Sequence, residues 1–130
     1  MKLTLNKAWE LCMEQWEGWI IEQLKINDTL DIEDLKKNWC VENGYPKIRH
    51  YCFFCEYDRQ RAGWLDTLCL ECPGRKIDEN FHCENRDDYN WQETPFAFYA
   101  ELKRLNRRRK AKLNQSAQKP NPKQERKEAK

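Results

Sequence analysis

Five cysteines fall between positions 52 and 83, and they are the residues most able to do chemistry. Cys52-Phe53-Phe54-Cys55 is followed after thirteen residues by Cys69-Leu70-Glu71-Cys72, and after ten more by Cys83, with His50 and His82 alongside. Two C-x2-C pairs at this separation put four soft sulfurs on tight turns, which can present them tetrahedrally to one Zn²⁺. The symmetrical ligand set is Cys52, Cys55, Cys69 and Cys72. Cys83 competes with Cys69 for a place, because a turn at Pro73-Gly74 can bring the chain back, and His50 and His82 are ligand types that zinc accepts. A disulfide framework fits less well. Seven cysteines leave one unpaired, and Met1-Lys2-Leu3-Thr4-Leu5-Asn6-Lys7 lacks the apolar stretch of a signal peptide. A dithiol redox centre needs only one C-x-x-C pair, but the βαβ pattern expected around it is missing.

The 130 residues suggest one domain, and 35% charged against 39% hydrophobic residues leave a modest apolar core. A structural metal would make up the deficit, since zinc contributes on the order of 10 kcal/mol to the folding of small modules. No run of about 18 apolar residues is present, so no membrane span is expected, and the cysteine usage fits a reducing cytoplasm. The net charge of +2 hides a division. From Lys103 to Lys130 twelve basic residues face two acidic ones, a net of +10, whereas Met1 to Leu102 carries a net of −8. Partners would therefore meet two opposite fields, each screened over about 10 Å.

The elements that must hold the cysteines in place follow from periodicity. Leu5 to about Lys25 reads as an amphipathic helix capped by Thr4 or Asn6, with Trp9, Cys12, Met13, Trp16, Trp19, Ile20 and Leu24 on one face. Such a stripe is the usual core signal, although three tryptophans could also form a binding surface. Cys12 lies within it and reads as a buried thiol. Gly18 predicts a bend or a closely packed neighbour. A second helix starts near Asp31, with Ile32, Leu35 and Trp39 inward and Cys40 as a core or semi-exposed thiol. It ends at Asn43-Gly44 before Pro46. Between the cysteine pairs, residues 56–64 fit either a helical turn or a two-stranded ribbon. Thr94-Pro95 opens the last helix, with Phe98, Leu102 and Leu105 inward. Arg107, Arg108, Arg109, Lys110 and Lys112 extend it as a basic spoke. The fold class expected is a small α-rich domain with a central zinc-ribbon or knuckle-like four-cysteine module and a disordered basic C-terminal tail. One domain spans 1–113, with N-terminal helices within 5–43, the zinc module at 50–84 and the last helix over 95–113. The tail is 114–130.

The order Cys52-Phe53-Phe54-Cys55-Glu56-Tyr57, Cys69-Leu70-Glu71-Cys72-Pro73, Cys83 and Tyr89-Asn90-Trp91, followed by a Phe/Tyr-rich helix, resembles a widespread group of small phage-encoded zinc-binding proteins of largely unknown function. The likeness covers about Tyr51 to Leu105. It implies a phage or prophage origin and a bound zinc, and no activity. The tryptophan-rich first helix and the basic tail are not fixed parts of that pattern.

Catalysis finds little support. No Ser-His or Cys-His arrangement with a separate orienting carboxylate can be picked out, and four dispersed glycines make no phosphate loop. Asp87-Asp88 and the group Asp31, Glu33, Asp34 read as solvated acids rather than Mg²⁺ ligands. Two non-enzymatic readings remain, and neither needs a small-molecule substrate. In the first, the zinc-braced body binds and modulates a bacterial host or defence protein, which would suit an acidic surface competing for a nucleic-acid site. In the second, Arg107, Arg108, Arg109, Lys110 and Lys112 bind DNA or RNA through phosphates without reading sequence.

Overall fold

The computed structural model describes residues 2–62, 69–84 and 86–118. Thr4 caps the first helix by accepting a hydrogen bond from the Lys7 N–H at 3.1 Å. Helix α1 (Leu5–Gln15) passes through a π-helical turn, Trp16–Ile20, and continues as α2 (Ile21–Ile26). Gly18 sits in that turn with nothing within 4 Å of where a Cβ would be, so the glycine marks the widened turn and not a close neighbour. Asp31 caps α3 (Ile32–Glu42) by accepting from the Glu33 and Asp34 amides. Gly44, at φ +85°, ends that helix in the left-handed conformation its lack of a side chain permits.

After a 3₁₀ turn at Arg49–Tyr51 come α4 (Phe53–Ala62), the short α5 (Pro73–Ile77) and α6 (Pro95–Gln118). The described residues show no zinc-ribbon module, and of the two alternatives for residues 56–64 their described part takes the helical one. The segment after Cys55 is helical, the chain turns at Pro73-Gly74 through α5, and the one β-type pairing among the described residues is an isolated bridge between Asn90 and Thr94. The helix turns Phe54 into one core cluster and Phe53 and Tyr57 into the other, so all three are buried. Gly63 and Trp64, which the ribbon alternative included, lie outside the described residues. The last helix runs to Gln118 instead of stopping at 113, and residues 119–130 of the expected tail lie outside the described residues. Thr94 opens α6 with its carbonyl, which accepts from the Phe98 N–H at 2.9 Å, while its hydroxyl is committed to Asn90.

The tryptophan stripe is core. Trp9, Trp16, Ile20 and Leu24 pack with Phe54 of α4 and with Phe98, Leu102 and Leu105 of α6. Trp16 and Phe98 rings lie 4.9 Å apart, and Trp9 meets Phe54 edge-on at 4.7 Å. A second cluster uses another face of α1: Ala8 and Leu11 pack with Leu3, Trp39, Cys40, Ile48, Phe53 and Tyr57. Glycine is required at position 74 for a different reason from Gly44, since a Cβ there would stand 2.6 Å from the Phe81 ring.

Two substitutions test this packing. Trp16→Ala should lower stability by about 3 to 5 kcal/mol in denaturant titrations, because it removes a buried ring packed on Phe98 and leaves a cavity in the main core cluster. Gly74→Ala should cost about 1 to 3 kcal/mol by overpacking against Phe81, whereas Gly18→Ala should not destabilise. A Gly74→Ala protein as stable as the parent would show that Phe81 is free to move.

Candidate metal centre

All five clustered cysteines reach one place. Cys52, Cys55, Cys69, Cys72 and Cys83 line a single cavity of about 430 Å³ whose walls also include Cys12, Lys36 and Trp91. Each is delivered by a different piece of local structure. Cys52 directly precedes α4, so the Cys55 N–H points back at the Cys52 sulfur, 3.4 Å away. Cys72 occupies the cap position of α5, with the Gly74 and Arg75 amides beside its sulfur. These exposed amide groups at helix starts favour sulfur carrying negative charge, whether ionised or metal-bound. Cys69 takes a left-handed φ of +73°, closed by the Cys72 N–H donating to the Cys69 carbonyl at 3.1 Å. Asp58 of α4 braces the second loop by accepting from the Glu71 N–H at 2.7 Å. Cys83 is held by its carbonyl, which accepts from the Trp91 N–H at 2.9 Å.

The approach to Cys52 is backed by polar contacts. His50 and Tyr51 both adopt left-handed backbone, φ 54° and 52°, a conformation that costs a non-glycine residue on the order of 1–2 kcal/mol. Gln15, fully inside the core, donates its side-chain amide to the Tyr51 carbonyl at 3.0 Å, the Lys36 carbonyl at 3.3 Å and the Cys40 sulfur at 3.4 Å. Two amide hydrogens serve three acceptors there, so the group is shared among α1, α3 and the residue before Cys52. From the other side, Glu56 accepts from the Arg49 N–H, from Arg59 and from Gln60. Burial alone would raise the Glu56 carboxyl, and these hydrogen bonds hold it below the usual carboxylate range.

The thiols do not share one electrostatic environment. A hydrogen bond from Cys55 holds the Cys52 thiol down to about 6, and its partner Cys55 is pushed up correspondingly. Burial pushes Cys83 up to about 12, with Cys52 adding to the rise, and burial likewise raises Cys72, Cys69 and Cys12. The Cys52–Cys55 pair is therefore where a proton is most easily given up, since burial raises the thiols around it.

Among the described residues no three His, Cys, Asp or Glu groups stand close enough together to hold a metal ion as placed, so the sulfurs share a cavity without forming a coordination sphere. The donor set still fits zinc in kind: five soft sulfurs on two helix starts and two loops, facing one space. Cys69 and Cys83 both face it, so the choice between them stays with experiment. His50 and His82 are exposed at the rim, and the His50 imidazole accepts a long hydrogen bond from Arg49 at 3.5 Å. Cys40 is wholly buried in the second cluster, its thiol facing the Tyr51 carbonyl at 3.8 Å.

Sequence periodicity missed two members of the cavity wall. Cys12 reads correctly as buried but lies against the cluster. Lys36 falls four residues after Ile32, an inward register on α3, and that spacing was the available signal.

The basic spoke divides. Arg107, Arg108, Lys110 and Lys112 are exposed on α6, but Arg109 turns inward, its guanidinium 5.4 Å from the centre of the Trp9 ring and donating to Asn6 at 2.9 Å and to Asn106 at 3.1 Å. Arg109 thus holds α6 to α1 and is not available to a partner. Of the acids, Asp31 is committed to capping α3 and Asp88 to an ion pair with Arg86 at 3.0 Å. Compared with known proteins, the chain matches no family model, no curated protein and no solved structure.

Proposed function

We propose that this is a non-enzymatic, zinc-stabilised interaction protein, of the phage-encoded kind that its cysteine order resembles, which binds and modulates a bacterial host or defence protein. The observation that carries the reading is the division between interior and surface. Aromatic and thiol groups are turned inward, while Glu10, Glu14, Glu17, Glu22, Glu33 and Asp34 lie exposed on the first three helices. Such a surface complements a basic patch, including one that normally binds nucleic acid, and would raise the rate of encounter with it. Zinc, when bound by Cys52, Cys55 and Cys72 with Cys69 or Cys83, supplies cross-linking of α4, α5 and the loop that carries Cys83. It supplies no reaction step.

A second reading is favoured by one observation. Arg107, Arg108, Lys110 and Lys112 are exposed on ordered helix, where they can follow a phosphate backbone.

Freshly purified, reduced protein should contain one zinc per chain by elemental analysis, and Cys52→Ser should release it and loosen the region around α4 and α5. Metal-free protein, or a Cys52–Cys55 disulfide in its place, would overturn the zinc assignment. Comparing Cys69→Ser with Cys83→Ser identifies the remaining ligand as the variant that loses metal.

The two partner classes separate by charge reversal. Changing Arg107, Arg108, Lys110 and Lys112 to Glu leaves Arg109 on Trp9, so the protein should stay folded and still capture its protein partner, whereas Glu14→Lys with Glu22→Lys should weaken that capture at least tenfold. Nucleic-acid binding predicts the reverse. Affinity should then fall steeply with salt, with about 0.9 lost from the log–log slope for each phosphate contact removed.

A further inference from the structure

Lys36 is the one charged group set into the cavity wall that the fold does not explain. Its residue is 5% exposed, and among the described residues its ammonium makes no ion pair or hydrogen bond, only an approach to the Trp91 ring at 4.1 Å from the centroid. An ammonium with no anion beside it on a residue this buried is costly, and a cation–π contact offsets only part of that cost. Every acid near the cavity has other commitments or a different neighbour. Asp58 accepts from the Glu71 amide, Glu84 accepts from the Trp91 indole at 3.3 Å, and Glu33 is exposed at the start of α3. The wall that Lys36 shares carries six sulfurs, those of Cys12, Cys52, Cys55, Cys69, Cys72 and Cys83. Its position is also fixed, because the Lys36 carbonyl accepts from Gln15, which also holds the Tyr51 carbonyl just before Cys52.

We infer that Lys36, held between Trp91 and the cysteine cluster, is a positioning residue for the metal centre, supplying the fixed positive charge that offsets the anionic zinc–thiolate group. The inference rests on the zinc assignment above. Four thiolates on one Zn²⁺ leave two net negative charges in a mostly apolar cavity, and an ammonium sharing that cavity lowers the cost of keeping them there. Groups just outside the ligands commonly change metal affinity by about 10- to 100-fold when removed. Among the described residues that line the cavity, Lys36 is the buried cation, whereas Arg49 is exposed and Arg75 is half-buried and donates to the Glu79 carbonyl at 3.2 Å.

The test compares the full-length parent, Lys36→Arg and Lys36→Met in competition with a chromophoric zinc chelator, with cobalt(II) substituted for zinc as a spectroscopic probe of the thiolate ligands. Methionine keeps the unbranched apolar stem and removes the charge. The expected result is zinc affinity about 10- to 100-fold weaker for Lys36→Met, affinity within a few-fold of the parent for Lys36→Arg, and altered thiolate-to-cobalt charge-transfer bands only in the methionine variant. Parent-like affinity in Lys36→Met overturns the role of Lys36 and leaves the zinc assignment standing. Equal loss of thermal stability by Lys36→Met with and without metal, at unchanged affinity, makes Lys36 a packing residue and also overturns it. A parent chain that takes up neither zinc nor cobalt overturns both proposals together.

Discussion

The structure depends on a helix that must be buried on two sides. Helix α1 places Trp9, Cys12, Met13 and, at its end, Trp16 against α4 and α6, and on another face places Ala8 and Leu11 against α3, α4 and the loop at Ile48. A helix with one apolar stripe can lie on a surface, but one with two has to be surrounded. That requirement sets where the later helices go. The local cost is small by comparison: Gly18 is worth about 1 kcal/mol against alanine, whereas removing one buried tryptophan is worth about 3 to 5. The π turn at Trp16–Ile20 is therefore tolerated as the means by which Trp16 and Trp19 both reach inward, Trp16 onto Phe98 and Trp19 to donate its indole N–H to the Leu35 carbonyl at 3.1 Å.

The same helix carries the polar group on which the thiol cavity rests. A buried side-chain amide costs free energy unless its hydrogen bonds are made, and Gln15 makes them to three acceptors from different parts of the chain. Two of those acceptors fix the backbone at Lys36 and Tyr51, which sets a cation and the first cysteine of the cluster relative to each other. The left-handed backbone at His50 and Tyr51 becomes intelligible in this setting. It turns the chain sharply from Ile48, in the second cluster, to Cys52 at the start of α4, and the bonds to Gln15 and Glu56 offset its cost.

The helices were legible because their signals are local. Thr4, Asp31 and Pro95 mark starts, Gly44 marks an end, and the steps of three and four between Trp9, Trp16 and Leu24 mark the first buried face. The second face of α1 was harder to read, since Ala8 and Leu11 are small or few and gain meaning only once α3 and α4 pack on them. The choice between helix and ribbon after Cys55 turned on where Phe53, Phe54 and Tyr57 would be buried, which is a tertiary question. The convergence of the cysteines was visible in their spacing. Lys36 and Cys12 were not visible as parts of the site, because each looks ordinary on its own helix and they meet the cluster only through the packing of α1 against α3 and α4. Arg109 was hidden by its neighbours. In a run of four cations nothing distinguishes the one that turns toward Trp9.

That one arginine also settles how the two charge fields are arranged. The Arg109 guanidinium on Trp9 is the last described contact between α6 and the body, and every described side chain from Lys110 to Gln115 is exposed. From Arg109 to Lys112 the helix rises only about 4.5 Å, inside the Debye length of about 8 Å at physiological salt. Lys110 and Lys112 therefore stay within reach of the acids beside that anchor, among them Glu10, whose charge acts on Arg109. The near-neutral total charge of +2 describes neither surface. On the proposed reading, the acidic body engages a basic protein surface while the exposed cations of α6 remain for an anion beside it. The two partner readings rest on different exposed side chains, Glu14 and Glu22 against Arg107, Arg108, Lys110 and Lys112, and so can be tested by separate substitutions.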